Sequence, residues 1–333
     1  MTGRPDLGLL VVPSHNAREA VALATLAEAS GFSYVWVADE RFFRDPFQLL
    51  ALIARATSSI RLGPCVVDPY TRLPVQIAVA LATLDEISGG RAALGIGAGA
   101  SGFRQLAIRR DPPPASAVAA AVRSIRQYLT DVPRPQERPG LDFTPARASV
   151  PIFIAAEGPQ MLRVAGELGD GAILQAKVVP SLLKPARRAV LRAAANHRRG
   201  LPAIVARVDV SVADRAGTAR GALKPRVARR LIATAPDFGV FREANLEVPP
   251  GLTRAVADVG YTNDPQVLAE LGRDIPDEWV EHFCIAASRG DLAQRLDRLA
   301  EQGVDQILVH PVPAPGDTAA ATIEAVGRWS DHV

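Results

Sequence analysis

The chain has 333 residues, of which 48% are hydrophobic and 22% are charged. This composition supplies a large buried core and excludes an intrinsically disordered protein. The formal net charge is only +3, from 38 basic and 35 acidic residues. Two arginine-rich stretches, 187–199 and 226–230, contain no aromatic residues, so they predict solvated helix faces rather than a nucleic-acid surface.

Cysteine use and hydropathy predict the compartment. Cys65 and Cys284 form neither a CxxC pair nor a metal-ligand pattern, which predicts no metal site and a reducing, cytoplasmic environment. No run of about 20 apolar residues predicts a membrane span, and the first residues lack the pattern of a signal peptide. We therefore expect a small-molecule ligand rather than a membrane or a nucleic acid.

The first hundred residues alternate between short apolar runs and longer amphipathic ones. The short runs are apolar throughout, which is typical of parallel strands that are covered on both faces. They lie at 7–13, 34–39, 60–67 and 91–97.

The same alternation continues beyond a loop rich in Pro and charged residues at 131–149. Four further strands are predicted at 150–156, 171–176, 203–213 and 305–312. Between the last two, the stretch from about Gly217 to Pro276 has an irregular helical pattern and predicts an insertion.

Eight strands that alternate with helices predict a single (β/α)8 TIM barrel over residues 1–333, with the insertion capping its C-terminal mouth. The alternative is an open doubly wound sheet. That fold usually places a glycine fingerprint directly after its first strand, and no such fingerprint follows Leu7–Pro13.

In a barrel, functional residues lie where the strands end. His15 follows the first strand, Asp39 and Glu40 follow the second, and His310 ends the last predicted strand. Asp39 and Glu40 are candidates for an acid/base pair, although a carboxylate at this place also caps helices. Each histidine is either a ligand-contacting group or a satisfied turn residue.

Two glycine-containing turns are candidates for ligand contact. Gly95–Gly102 joins the fourth strand to a helix, and it indicates either a turn with positive φ or close approach of the backbone to a ligand. Gly158 and Pro159 begin a predicted helix, whose free N–H groups would suit a phosphate or would simply be capped. Strand ends with so many small residues suit a planar cofactor that brings its own reactivity.

The stretch LATLDEISGGRAALGIGAG (81–99) resembles the signature of the luciferase-like monooxygenase superfamily. Four more stretches resemble its methylenetetrahydromethanopterin reductase-like branch. They are RDPFQLLALIA, IRLGPCVVDPYTRLP, PIFIAAEGPQMLRVAGELGDGAIL and EQGVDQILVHPVP. The resemblance covers nearly the whole chain in the right order, except for about 112–149 and 217–279.

The resemblance implies a barrel that binds coenzyme F420 or, as the alternative, FMN. It also implies a non-proline cis peptide at Cys65–Val66, behind the cofactor ring. Asp39 would lie near the ring, and Glu157 near the cofactor phosphate. The full set of cofactor-binding candidates is Asp39, Cys65, Val66, Gly97, Ala98, Gly99, Glu157, Gly158, Pro159 and Gln175.

Two departures from the family pattern affect the expected chemistry. Ala100 stands where F420-dependent relatives often carry an acidic residue, and Glu40 stands where sugar-phosphate-oxidising relatives have His. The catalytic candidates for proton delivery are therefore Glu40, His15 and Ser101, with Glu40 first. Arg44 and Arg72 are candidates to meet the acidic tail of the cofactor.

Three functions follow from this resemblance. The first is an F420-dependent oxidoreductase that transfers a hydride to or from a small organic substrate. The second is an FMN-dependent monooxygenase fed by a separate reductase, and the third is a non-catalytic flavin-binding relative. A homodimer is expected, with the helices at 47–56 and 75–87 as its face.

Overall fold

The computed structural model describes residues 4–14, 16–40, 42–99, 106–130, 140–175, 177–198 and 200–330. Within these ranges the strands are β1 (Asp6–Val11), β2 (Tyr34–Val37), β3 (Arg61–Pro64), β4 (Leu94–Ile96), β5 (Ile152–Ala155), β6 (Gly171–Gln175), β7 (Ala203–Ala213), β8 (Cys284–Ser288) and β9 (Gln306–Pro311). The helices are α1 (Ala17–Ala29), α2 (Pro46–Ala56), α3 (Pro74–Ile87), α4 (Pro114–Leu129), α5 (Pro159–Leu168), α6 (Pro180–Asn196), α7 (Ala216–Thr234), α8 (Gly239–Glu243), α9 (Pro250–Val259), α10 (Pro265–Gly272), α11 (Asp277–Phe283), α12 (Leu292–Ala300) and α13 (Ala319–Ser330).

Eight of the strands form a parallel barrel. Their hydrogen-bonded order is β3-β2-β1-β9-β7-β6-β5-β4. The two end strands, β3 and β4, are joined by parallel bridges that pair Leu62 with Ala92 and Val67 with Ile96. The predicted (β/α)8 barrel is therefore confirmed, and its seam lies between β3 and β4.

The sequence predicted eight strands, but β8 is a ninth, and the strand predicted last is β9. β6 and β9 both pair with residues 205–207 of β7, so they lie on opposite edges of that strand. β8 shares residues 209 and 210 with β9, so it lies on the β6 edge, beyond the end of β6. This strand escaped prediction because it follows α11 without a turn, so its residues continue the irregular helical stretch before it.

The barrel interior below the mouth is a packed core. Tyr34 stacks on Trp36 with ring centroids 5.6 Å apart, and Phe153 meets Trp36 edge-on at 5.2 Å. Ile173 and Leu308 fill the same interior cluster from β6 and β9. The interior is therefore a core rather than a cavity, and barrels of this kind bind their ligands at the carboxyl ends of the strands.

The insertion has its own hydrophobic core. Phe241 packs against Trp279 and Phe283, with ring centroids 5.3 Å and 4.9 Å away. Arg226 and Arg230 of α7 reach Asp209 of β7 and the carboxyl ends of β5 and β6, so the insertion caps the mouth as predicted. The insertion's helices continue to Phe283, beyond the predicted end near 276.

The signature stretch that carries the family resemblance holds elements together. The Arg91 guanidinium donates to the carbonyl oxygens of Ala54 (2.7 Å) and Ile60 (2.8 Å), which ties β4 to the end of α2. Asp85 accepts from the Arg147 guanidinium and from the Ala92 N–H.

Within the described part of the chain, no helix is both long enough and apolar enough to cross a membrane.

Candidate active site

The mouth of the barrel has two opposite walls. In the closed strand order, β3 lies across from β7 and β4 lies across from β9. The residues expected to line a cofactor groove end β2 to β6. The second wall, formed by β7 and β9, carries His310 of β9 and two buried charged residues of β7, Arg207 and Asp209, which the sequence analysis did not single out.

The Cys65–Val66 peptide bond is cis, as the resemblance implied. Gly95 of β4 and Gly97, which follows that strand, lie directly against it. A Cβ at Gly95 would lie 3.2 Å from Cys65 Cα, and one at Gly97 would lie 2.9 Å from Val66 Cγ2. Burial raises the pKa of the Cys65 thiol to about 12, so this cysteine stays protonated and is no nucleophile near neutral pH.

The glycine-rich turn contains one position that only glycine suits well. Gly99 has a φ of 62°, and a Cβ there would lie 2.5 Å from Asp68 Cγ. The Asp68 carboxylate accepts from the N–H groups of Tyr70 and Thr71, both at 2.9 Å. At Gly99 the positive-φ alternative is therefore confirmed, and Ala98 connects this turn to Gly97.

Asp39 is held in a buried ion pair. The Arg72 guanidinium donates to its two carboxylate oxygens at 2.8 Å and 3.2 Å, and to Asp45 at 2.7 Å. Burial opposes the charge, but the hydrogen bonds to both carboxylates raise the pKa of Arg72 above its usual value. Asp45 also caps α2 by accepting from Phe47 N. Arg72 is thus already paired with two carboxylates.

Glu40 is the one catalytic candidate that lies within the described residues. It is half-buried, and its Oε2 is buried without a hydrogen-bond partner in the described part of the chain. His15 and Ser101, together with Ala100, lie outside the described residues. The Arg44 guanidinium donates to the carbonyl oxygens of Ser14 (3.2 Å) and Pro13 (3.3 Å), the two residues before His15.

The predicted helix start at Gly158 and Pro159 is confirmed. Gly158 is the N-cap of α5; among the described residues no side chain caps the helix, and none lies within 4 Å of a Cβ placed at Gly158. The first N–H groups of the helix therefore remain free to bind an anion. Glu157 turns its carboxylate to Arg230 (3.1 Å), whose guanidinium also donates to the carbonyl oxygen of Gln175 (3.4 Å).

A buried carboxylate organises the opposite wall. Asp209 of β7 lies 3.2 Å from the Arg207 guanidinium, 3.4 Å from Arg226 Nε and 2.5 Å from Nδ1 of His310. Burial opposes the charge of Asp209, yet Arg207, Arg226 and His310 hold its pKa well below the usual range. Asp209 is therefore ionised at every pH at which the protein would be assayed.

His310 is neutral in this setting. Burial lowers its pKa to about 4, although the hydrogen bond to Asp209 acts in the opposite direction. Because Asp209 is ionised, the histidine must carry its hydrogen on Nδ1 and donate it to the carboxylate. Its Nε2 then has a free lone pair that can accept a proton or a hydrogen bond.

The sequence contained a signal for this wall. Arg207, Asp209 and Ser211 occupy every second position of an otherwise apolar strand, which indicates that they share the inward face. The prediction that the arginines at 226–230 lie on a solvated face is wrong for Arg230, which is 8% exposed. Arg226 and Arg230 are four residues apart, so both lie on the face of α7 that covers the mouth.

The fold and this geometry define an α/β-barrel protein with a ligand site at its strand ends. Residues 6–306 match the model of the family described as luciferase-like monooxygenase, and the chain belongs to that family. It is 30% identical over 330 residues to the 5,10-methylenetetrahydromethanopterin reductase of Archaeoglobus fulgidus, covering 96% of this chain and 97% of the relative. It is also 30% identical over 330 residues to the reductase of the same name from Methanolobus tindarius, covering 96% and 98%.

A solved structure extends the likeness to three dimensions. The coenzyme F420-dependent tetrahydromethanopterin reductase of Methanopyrus kandleri superposes with a TM-score of 0.80 and 26% identity, covering 98% of each chain. The family and branch that the sequence motifs indicated are thereby confirmed.

Proposed function

We propose that the protein is a coenzyme F420-dependent oxidoreductase that transfers a hydride between the deazaflavin and a small organic substrate. The observation that carries the proposal is the likeness to reductases of this branch, which extends over 96% of the chain. Both cysteines are free thiols, which fits the reducing cytoplasm in which we expect the enzyme to work.

The residues present suit a planar, acidic cofactor. The uncapped start of α5 at Gly158 has free N–H groups and open space for a phosphate. The cis turn at Cys65–Val66 and the glycines behind it would line the ring. When bound, F420 would supply the hydride chemistry, since no side chain of the barrel can carry a hydride.

The chain's own contribution is positioning, exclusion of water and proton transfer. The packed interior closes the barrel from below, and α7 covers the mouth, so a bound substrate is shielded from solvent. Glu40 is the first candidate to hold the proton, because its buried Oε2 has no partner among the described residues. His310 offers a second acceptor in its Nε2.

The first test is a fluorescence titration of the purified protein with F420 and, separately, with FMN at fixed salt. We expect F420 to bind with a dissociation constant of about 1 μM or tighter, and FMN to bind at least tenfold more weakly, on the affinity scale of natural cofactors. Gly158→Asp should weaken F420 binding about tenfold relative to Gly158→Asn, since only the Asp adds a charge at the helix start. Binding of neither cofactor would refute the proposal and leave a barrel that has lost its cofactor.

A second candidate function is an FMN-dependent monooxygenase fed by a separate reductase. The description of the matching family model as luciferase-like monooxygenase favours it. Preferential FMN binding, with oxygen uptake when reduced FMN is supplied, would establish this function in place of the first.

We also propose that the protein is a homodimer through the outer faces of α2 and α3. Leu52, Val79 and Ile87 are 51%, 40% and 39% exposed there, an apolar surface that a partner subunit would cover. Light scattering should give a dimer mass for the native protein and a monomer mass for Leu52→Glu. Leu201→Glu, at an apolar residue exposed outside these two helices, should remain a dimer. A native monomer would contradict this proposal.

A further inference from the structure

Three arginines converge on one side of the barrel mouth. Arg207 extends from β7, and Arg226 and Arg230 extend from α7. Arg207 and Arg226 lie 3.2 Å and 3.4 Å from the same carboxylate, that of Asp209, and Arg230 follows Arg226 by one helical turn on the same face of α7. Among the described residues, Asp209 and Glu157 are the carboxylates paired with them, so three guanidinium groups meet two carboxylates.

Several buried polar atoms of the cluster lack partners among the described residues. Arg230 is 8% exposed, and its Nε has no acceptor. Arg226 Nε is also buried, and its 3.4 Å contact with Asp209 does not have hydrogen-bond geometry. Ser211 is fully buried, and its hydroxyl has no partner. Buried donors without acceptors are rare and destabilising, so their concentration here points to a ligand that brings acceptor oxygens.

We propose that this arginine cluster, formed by Arg207, Arg226 and Arg230, binds an oxyanion group of the substrate, either a carboxylate or a phosphate. This proposal rests on the proposed function, because it calls the bound molecule a substrate and assumes that a separate cofactor occupies the other wall. Planar guanidinium groups suit both oxyanions, since they donate paired N–H groups to two oxygens. Asp209 is a positioning residue that fixes Arg207 and Arg226 from below.

The position of the cluster assigns it to the substrate rather than to the cofactor. Asp209 and Arg207 lie on β7, directly across the barrel from β3 and its cis turn. A cofactor ring against that turn would leave the β7 wall to the molecule with which it reacts. The acidic tail of the cofactor has a separate site in the free N–H groups at Gly158.

Calorimetric titration with inorganic phosphate tests the proposal, first with the protein alone and then with protein saturated by F420. We expect phosphate to bind in both cases. Arg226→Gln and Arg230→Lys should each weaken binding about tenfold, the usual effect of losing charge-assisted hydrogen bonds. Arg229→Gln is the matched control, because Arg229 lies on the same helix but donates to Asn263 and stacks on Tyr261 instead.

The outcomes separate this inference from the proposed function. If F420 displaces the phosphate whose binding depends on Arg226 and Arg230, the cluster holds an acidic group of the cofactor, and the substrate assignment is wrong. Equal phosphate binding by the native protein and both cluster variants, or no binding at all, would overturn the site itself. If F420 fails to bind while phosphate binding still depends on Arg226 and Arg230, the proposed cofactor is wrong but the oxyanion site stands. Arg226 is 31% exposed at its side chain, so its variant carries the test if Arg230→Lys does not fold.

Discussion

Gly63→Ala is expected to lower the free energy of unfolding by about 3 kcal/mol, at the upper end of the range for overpacked cores. A Cβ at this position would lie 1.9 Å from the carbonyl oxygen of Ala93. That oxygen belongs to the backbone of the neighbouring strand, so it cannot move aside as a side chain does. The seam of the barrel would have to open, because Leu62 and Ala93 are hydrogen-bonded at 2.9 Å beside it.

Chemical denaturation of Gly63→Ala and Gly217→Ala measures the effect against a matched control. Gly217 lies in the first turn of α7, where a Cβ would meet nothing within 4 Å. Alanine there should be neutral or slightly stabilising, since it restricts the unfolded chain. If the two variants unfold at the same denaturant concentration, the added Cβ at position 63 does not force β3 and β4 apart, and the prediction is wrong.

The barrel was predictable from the sequence because its strands are covered on both faces. Such strands are apolar throughout, and eight of them stand out as apolar runs between amphipathic helices. β8 gives no separate run, since CIAAS directly follows the end of α11. Its pairing with β7 depends on where the insertion folds back, a long-range contact that no local pattern encodes.

The candidate site was predictable only in part. The cis peptide at Cys65–Val66 followed from the family resemblance, and the helix start at Gly158 followed from the Gly-Pro pair. The pairing of Asp39 with Arg72 joins residues 33 positions apart, and local sequence gives no indication of it. The inward turn of Arg230 was missed for a different reason, since a charged helix face looks solvated until the surface that it covers is known.

The second large effect concerns stability in acid. The pKa of His310 is lowered to about 4 from a usual value of 6.5, because burial disfavours the charged ring. Between these two values the unfolded chain binds a proton that the folded protein does not bind. The contribution of His310 to the free energy of unfolding is therefore fully present above pH 6.5. It is lost as the pH falls toward 4, and the total loss is roughly 3 kcal/mol.

Asp209 does not contribute within this window. Its pKa is lowered below 3.8, so the stability it provides is present above that value and disappears only at lower pH. The two partners of one hydrogen bond thus act in different pH ranges. Of the His310–Asp209 pair, only the histidine therefore lowers the free energy of unfolding between pH 6.5 and 4.

His310→Gln should remove this part of the acid response. Glutamine keeps a group that can donate to Asp209, but it does not titrate, so the free energy of unfolding should fall less steeply between pH 6.5 and 4. Denaturant titrations at several pH values compare this slope with that of the native protein and of His197→Gln, a variant at an exposed histidine. An unchanged slope in His310→Gln would mean that His310 is not held neutral by burial. Its Nε2 could then no longer be counted as a ready acceptor beside the arginine cluster.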